Sequence, residues 1–189
     1  MTSSLDVRES AALLAHAERI AETRADLRLI DELTGASANW LAFARPDLQA
    51  TIDAFALYLD RCEADARLLL VGDANVELNG LNAHLKRIAA TDIAAVKAAY
   101  LCADALVAIG GIDREAVVGA LALGTPIVAA ATDIQALARN AALDWNDRDA
   151  ALICASVERL RNDATLRAAL RANGFAQITE LAKTAQDDR

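Results

Sequence analysis

Aliphatic runs alternate with stretches of helical periodicity along most of the chain. The clearest run is ARLLLVGD at 66–73, and ALVAIGG at 105–111 and TPIVAAAT at 125–132 are of the same kind. Unbroken apolar runs of this length are typical of parallel strands that are buried on both faces of a sheet. Three more strands are predicted at NWLAFAR (39–45), at HLKRIA (84–89) and, leading into a loop, at ALDWND (142–147).

The helical stretches between these runs carry end signals. Thr91 is predicted as the N-cap of one helix and Asp113 as the N-cap of another, because their side-chain oxygens accept hydrogen bonds from a first helical turn. Gly124 is expected to end the second of these helices. The final segment is predicted to be helical with a break at Asn173 and Gly174. Strands and helices that alternate in this way predict an α/β fold, with a parallel sheet covered on both faces.

An amphipathic segment precedes this alternation. Its apolar residues recur at spacings of three and four, which predicts a helix or a pair of helices ended by Gly35. The sequence therefore predicts a helical extension, residues 1–35, followed by one α/β domain, residues 36–189.

Composition narrows the expected location and the class of partner. The chain has 189 residues, of which 55% are hydrophobic and 4% aromatic, so we expect one globular core built from aliphatic side chains. Its formal net charge of −8 argues against nucleic acid as a partner, because phosphate binding uses clustered Lys and Arg. No apolar stretch reaches the roughly 18 to 20 residues of a membrane span, and the N-terminus lacks signal-peptide character. These features predict a cytoplasmic protein.

The cysteines and histidines provide few candidates for metal ligands or catalytic residues. Cys62, Cys102 and Cys154 each lie in an apolar helical pattern and are predicted to be reduced core residues. His16 and His84 are isolated from each other, so neither a histidine-based metal site nor a Ser-His-Asp triad is expected. We assign no catalytic residue and no metal ligand.

Five weak motifs occur in a recognisable order between residues 39 and 175. The segment TDIAAVKAAYLCADALVAIGGIDREAVVGALALGTPIVAA is followed by the helix pattern of NDATLRAALRANG and preceded by TIDAFALYLDRCEADARLLLVGD. In this order and spacing the chain resembles the C-terminal, donor-nucleotide domain of group 1 GT-B glycosyltransferases. The positions that fall in register are Thr91, Asp92, Tyr100, Ala103, Asp104, Gly124, Pro126, Asp163, Leu166, Arg167, Leu170 and Gly174.

The resemblance implies a single Rossmann-like, doubly wound sheet, one half of a GT-B fold, with a nucleoside-diphosphate sugar as its possible substrate and no cofactor. The family uses two glutamates separated by seven residues near the sugar and the ribose. Gly111 and Gly119 stand in those two positions, and Glu115 lies between them. This pattern is that of a fold retained after ordinary transfer activity was lost.

The other donor motifs of the family are also altered. Pro46 and Asp47 occupy the Lys-Gly positions after the first strand, and Ala138 and Arg139 stand where the family has Pro and Glu. Candidate donor-binding residues implied by the resemblance are Arg45, Gly110, Gly111, Arg114, Glu115 and Arg139.

Each of these candidates has a second interpretation. Gly110 and Gly111 at a strand end, before a helix N-terminus, favour a bound phosphate, but they also suit a tight turn whose N-cap, Asp113, would repel one. The three arginines are equally consistent with solvated surface groups. Trp40 and Trp145 are interpreted as packing residues rather than platforms for a sugar.

Three functional hypotheses follow. The first is a glycosyltransferase-like domain that binds a nucleotide sugar and works with a separate acceptor domain or subunit; it predicts a partly positive cleft near Arg45, Gly110 and Arg139. The second is a non-catalytic interaction module that contacts a partner or a second copy through its N-terminal helix; it predicts an exposed apolar stripe on residues 5–21 and an occluded or acidic cleft. The third is an unrelated doubly wound fold with the same alternation of elements.

Overall fold

The helices and strands alternate as the sequence predicts. The computed structural model describes residues 7–45, 48–62, 65–74, 80–109, 113–130, 135–145 and 149–186. The strands are β1 (Ala38–Phe43), β2 (Ala66–Val71), β3 (Leu85–Ile88), β4 (Ala105–Ala108), β5 (Ile127–Ala130) and β6 (Ala142–Trp145). The helices are α1 (Val7–Glu22), α2 (Leu27–Leu33), α3 (Leu48–Arg61), α4 (Ile93–Cys102), α5 (Arg114–Leu123), α6 (Gln135–Ala138), α7 (Ala150–Asn162) and α8 (Ala164–Gln186), with short 3₁₀ helices at Leu81–His84 and Arg139–Ala141.

All strand pairs of the sheet are parallel, in the order β3-β2-β1-β4-β5-β6. The chain builds outward from β1 to β3, returns to place β4 beside β1, and then builds outward in the other direction. This is a doubly wound sheet, so the predicted fold class is confirmed. The reversal leaves a topological switch point between β1 and β4, where open α/β sheets bind their ligands.

Each face of the sheet has its own core. On one face Trp40 is fully buried and its ring lies 5.4 Å from that of Phe55 and 4.9 Å from that of Tyr58, between the sheet and α3. On the other face Leu41 and Leu106 pack among residues of α1, α2, α4, α5 and α8. The interpretation of Trp40 as a packing residue is therefore confirmed, whereas the side chain of Trp145 lies outside the described part of the structure.

The N-terminal helices belong to the second core. Leu13, Ala17 and Ile20 of α1 are 5%, 2% and 1% exposed, because this face of α1 packs against α5 and α8. Helix α2 packs against α4 in the same way and buries Leu29 and Leu33. The apolar stripe that the interaction hypothesis expects at the surface is thus covered at Leu13, Ala17 and Ile20, and for these residues that expectation is wrong. The division of the chain at residue 35 stays a prediction.

The structure corrects one predicted helix break. Helix α8 runs without interruption through Asn173 and Gly174. Gly174 faces α5, where a Cβ built on it would lie 3.3 Å from Leu121 Cδ2 and 3.4 Å from the Leu121 carbonyl oxygen. The glycine therefore serves a close approach of two helices rather than a helix end.

The structure shows where two of the predicted helix ends lie. The N-cap of α4 is Asp92, whose carboxylate accepts the Ala95 N–H at 3.0 Å, so the prediction of Thr91 is wrong by one residue. Gly124 ends α5 in the left-handed region at φ 72°, as predicted.

The cysteines differ in exposure. Cys154 is buried and Cys102 half-buried, as core residues would be. Cys62 is exposed, because it follows the last residue of α3 and no longer takes part in the buried helical face. None of the helices in the described ranges is both long and apolar enough to cross a membrane.

Candidate functional site

A small cavity lies at the switch point of the sheet. It is bounded by the carboxyl ends of β1 and β4 and by the first turns of α3 and α5, which is where a doubly wound fold presents backbone N–H groups to a ligand. Its volume is about 20 Å³, which is room for about one water molecule. The described residues that line it are Phe43, Arg45, Leu48, Thr51, Leu106, Val107, Ala108, Ile109, Asp113 and Ala116.

Arg45 is the single cation in this described lining. It follows β1 by two residues, and its carbonyl accepts the N–H of Leu48 at 3.2 Å where the chain turns into α3. The side chain is half-buried, and none of the described residues accepts a hydrogen bond from its guanidinium. A guanidinium that has no partner among the described residues and lies beside a helix N-terminus is a suitable group for a phosphate. The predicted role of Arg45 as a donor ligand stays a prediction.

Asp113 brings a negative charge to the same cavity. It caps α5, and its carboxylate accepts the N–H of Glu115 at 3.1 Å. The cap was predicted, and it satisfies one of the N–H groups that an anion would otherwise use. Gly110 and Gly111, which precede this cap, lie outside the described residues, so both interpretations of the glycine pair stay open.

Helix α1 engages both charged candidates at the start of α5. The Arg114 guanidinium pairs with the Glu9 carboxylate, and the Glu115 carboxylate lies 3.5 Å from His16 Nδ1. These contacts tie α1 to α5 beside the cavity. The donor-binding roles predicted for Arg114 and Glu115 stay predictions, but in this arrangement each side chain already has a partner from the N-terminal helix.

Burial dominates the electrostatics of His16. Its side chain is only 15% exposed, and loss of hydration lowers its pKa below the ordinary value, more than the attraction of Glu115 and Asp113 raises it; Arg19 lowers it further. The ion-pair geometry alone would favour the opposite direction. The Glu115 side chain, however, is 62% exposed, so water screens its attraction and burial prevails.

Tyr100 fills the space beside Gly119, the position that the resemblance gives to the second glutamate. A Cβ built on Gly119 would lie 2.8 Å from Tyr100 Oη and 2.9 Å from Cζ, which is closer than real Cβ contacts. The Tyr100 hydroxyl donates to the Ala116 carbonyl at 3.0 Å, and burial strongly raises its pKa. Sequence reasoning missed this pair, because only the fold shows that α4 presents Tyr100 to α5.

For most of the remaining candidate donor-binding positions, the side chain lies outside the described part of the structure. Arg139 begins the 3₁₀ helix after α6, but its side chain lies outside the described part, as do Pro46 and Asp47. Ala138, at the position of the family's proline, is fully buried. Among the described side chains, the structure therefore brings Arg45 and Asp113 together at one cavity and directs Arg114 and Glu115 to α1.

Comparison with solved structures identifies proteins that have a similar fold. No protein-family model and no curated protein matches the chain. Among solved structures, Anabaena HepE in complex with UDP and glucose superposes with a TM-score of 0.65 at 15% identity, over 98% of this chain and 54% of that one. The UDP-forming α,α-trehalose-phosphate synthase of Burkholderia xenovorans gives a TM-score of 0.66 at 16% identity, over 94% of this chain and 48% of that one.

A third similar structure belongs to an enzyme of another class. The putative UDP-N-acetylglucosamine 2-epimerase of Listeria monocytogenes superposes with a TM-score of 0.64 at 12% identity, over 94% of this chain and 53% of that one. The chain thus spans about half the length of each of these proteins. It has the fold of one Rossmann-like half of a GT-B structure, the C-terminal domain, so the predicted resemblance is confirmed at the level of fold.

Proposed function

We propose that this chain is a nucleotide-binding domain of GT-B type, which takes a nucleotide sugar or its nucleoside diphosphate at the switch point and has lost ordinary transfer activity. The proposal includes a separate acceptor domain or partner subunit and a cytoplasmic location. HepE, of which about half superposes on this chain, was solved with UDP and glucose bound.

One observation carries the binding part of the proposal. Arg45 lines the cavity between β1 and β4, beside the first turns of two helices. A guanidinium and helix N-termini favour the same ligand chemistry, a diphosphate. The cavity of about 20 Å³ is too small to enclose a nucleotide.

The packing of Gly119 supports the loss of transfer activity. A glutamate at this position would need the space that the Tyr100 ring occupies, and the backbone of α5 offers no other direction for its Cβ. In the present packing, a carboxylate at position 119 would require Tyr100 to move. Gly111, at the first position, has no carboxylate to offer.

Isothermal titration with UDP and with UDP-glucose tests the binding site. We expect binding by the unchanged chain and at least about tenfold weaker binding by Arg45→Ala, because a hydrogen bond to a charged group contributes about 1.5–3 kcal/mol. Arg28→Ala is the matched control, since Arg28 is an exposed arginine on α2. Absence of binding by the unchanged chain would refute the proposal, and equal binding by Arg45→Ala would move the site away from the switch point.

A separate measurement tests the proposed loss of transfer activity. We expect UDP-glucose incubated with the chain to release UDP no faster than in buffer, because neither family glutamate is present to support departure of the nucleotide. Release that depends on protein concentration, and that disappears in Arg45→Ala, would show that the chain uses other groups for the reaction.

A further inference from the structure

A second and larger concavity lies at the opposite edge of the sheet. It is formed by the end of α4, the residues that lead into β4 and β5, and one face of α8, and its volume is about 520 Å³. We call it the α8 groove; its principal lining residues are Leu101, Asp104, Pro126, Arg167, Arg171 and Phe175. Because parallel strands begin at this edge and end at the other, the groove is separate from the switch-point cavity.

Two arginines form the basic side of the groove. Arg167 and Arg171 are one helical turn apart on α8, and both point their side chains toward backbone carbonyls. Arg167 Nη1 donates to the Leu160 carbonyl at 2.5 Å, and Arg171 Nε donates to the Gly124 carbonyl at 3.2 Å. A guanidinium carries five N–H donors, and no described acceptor binds Nη1 or Nη2 of Arg171. These donors remain available to a ligand.

Gly124 helps to hold Arg171 in this place. A Cβ built on Gly124 would lie 2.8 Å from both Cγ and Nε of Arg171, so the arginine stem crosses the glycine directly. The absence of a side chain at position 124 therefore gives the Arg171 stem the space for this path.

The other side of the groove is apolar and open to water. Leu101 and Phe175 are 49% and 46% exposed, an unusual exposure for large apolar side chains of this protein. Asp104 is the single carboxylate in the described lining; it accepts the Asn39 N–H at 2.8 Å, and burial raises its pKa. The groove thus combines two guanidinium groups, one engaged carboxylate and two exposed apolar side chains.

We propose that the α8 groove is the docking site of an acidic, amphipathic segment of a partner protein. A carboxylate of the segment pairs with Arg171, and an aliphatic or aromatic side chain packs between Leu101 and Phe175. Charge complementarity selects this occupant: the lining is net positive although the whole chain carries −8. Arginine is also among the residues that dominate binding energy at protein interfaces.

A selection from random peptides tests this proposal. A phage library of 16-residue random peptides is selected on the unchanged chain, and the enriched peptides are synthesised with a fluorescent label for anisotropy titrations. We expect them to combine Asp or Glu with Leu or Phe, and to bind at least about tenfold more weakly to Arg171→Glu and to Phe175→Ser. Lys183→Glu, a charge reversal farther along α8, should leave the affinity unchanged.

Several outcomes would overturn the proposal. They are the enrichment of peptides without acidic residues, equal binding by the two groove variants, and the absence of any enriched peptide. Amide chemical-shift changes that map away from Leu101, Asp104 and Phe175 would overturn it as well. Sedimentation that shows a dimer of the chain, lost in Phe175→Ser, would assign the groove to a second copy instead. Circular dichroism of each variant confirms that it is folded.

Discussion

At the scale of single residues, the Tyr100 ring determines what position 119 can hold. Replacing Gly119 by alanine adds one Cβ, which would lie 2.8–2.9 Å from Oη and Cζ of that ring. Overpacking of this kind costs about 1–3 kcal/mol, whereas removal of a helical glycine contributes about 1 kcal/mol in the other direction. We expect Gly119→Ala to lower the free energy of unfolding, as measured in urea.

Two variants test whether contact with the Tyr100 ring causes the loss of stability. Gly35→Ala is the control, because a Cβ at Gly35 meets no atom within 4 Å, and it should leave stability unchanged or slightly higher. In a Tyr100→Ala background the Gly119→Ala change should no longer destabilise. If the loss of stability were the same in both backgrounds, the ring would not be its cause.

At the scale of elements, the contact between α1 and α5 makes stability depend on pH. Burial lowers the folded-state pKa of His16 below its ordinary value of 6.5, so near that pH the unfolded chain binds more protons than the folded one. The free energy of unfolding should therefore fall as the pH drops through about 6.5 and level off below the folded-state pKa. Urea titrations between pH 5.5 and 7.5 measure this slope.

The matched variant for this effect is His16→Gln, which keeps a polar side chain and removes the titration. Its slope over the same pH range should be smaller than that of the unchanged chain. A slope as steep as before would show that His16 is not the source of the pH dependence.

The elements show which structural features the sequence predicts well. The order of strands and helices follows from local apolar patterns, which is why β2 and β4 fall within their predicted runs. The cap of α4 differs by one residue, because Thr91 and Asp92 are both good caps and the choice depends on the turn before the helix. The local sequence around Gly174 predicts a helix end, but the glycine is needed for its contact with Leu121 of another helix.

The candidate site is less predictable than the fold, because it depends on contacts between segments that are far apart in the sequence. The placement of Arg45 at a cavity follows from strand order, which the alternation of elements anticipates. The contact of Arg114 with Glu9 joins segments far apart in sequence, and no local pattern contains it. The apolar spacing of α1 correctly predicts a helix, yet it does not say whether that face meets another molecule or the same chain.

At the scale of the whole molecule, α1 behaves as a part of the core. Ile20 is 1% exposed among residues of α4, α5 and α8, so Ile20→Ala should lower the free energy of unfolding by about 2–5 kcal/mol. Leu27→Ala is the matched control, because Leu27 is 56% exposed and its truncation should have little effect. If Ile20→Ala were as mild as the control, residues 1–35 would be a separate extension rather than a part of the core.

The packing of α1 on α8 also has a consequence for synthesis on the ribosome. Helix α1 is synthesised before α8, which begins at Ala164 and covers part of the apolar face of α1. At ordinary elongation rates the two are separated by roughly 7 to 30 seconds. Throughout this interval the part of the apolar α1 face that packs on α8 has no cover, so we expect chaperones that attend unfinished proteins to recognise it.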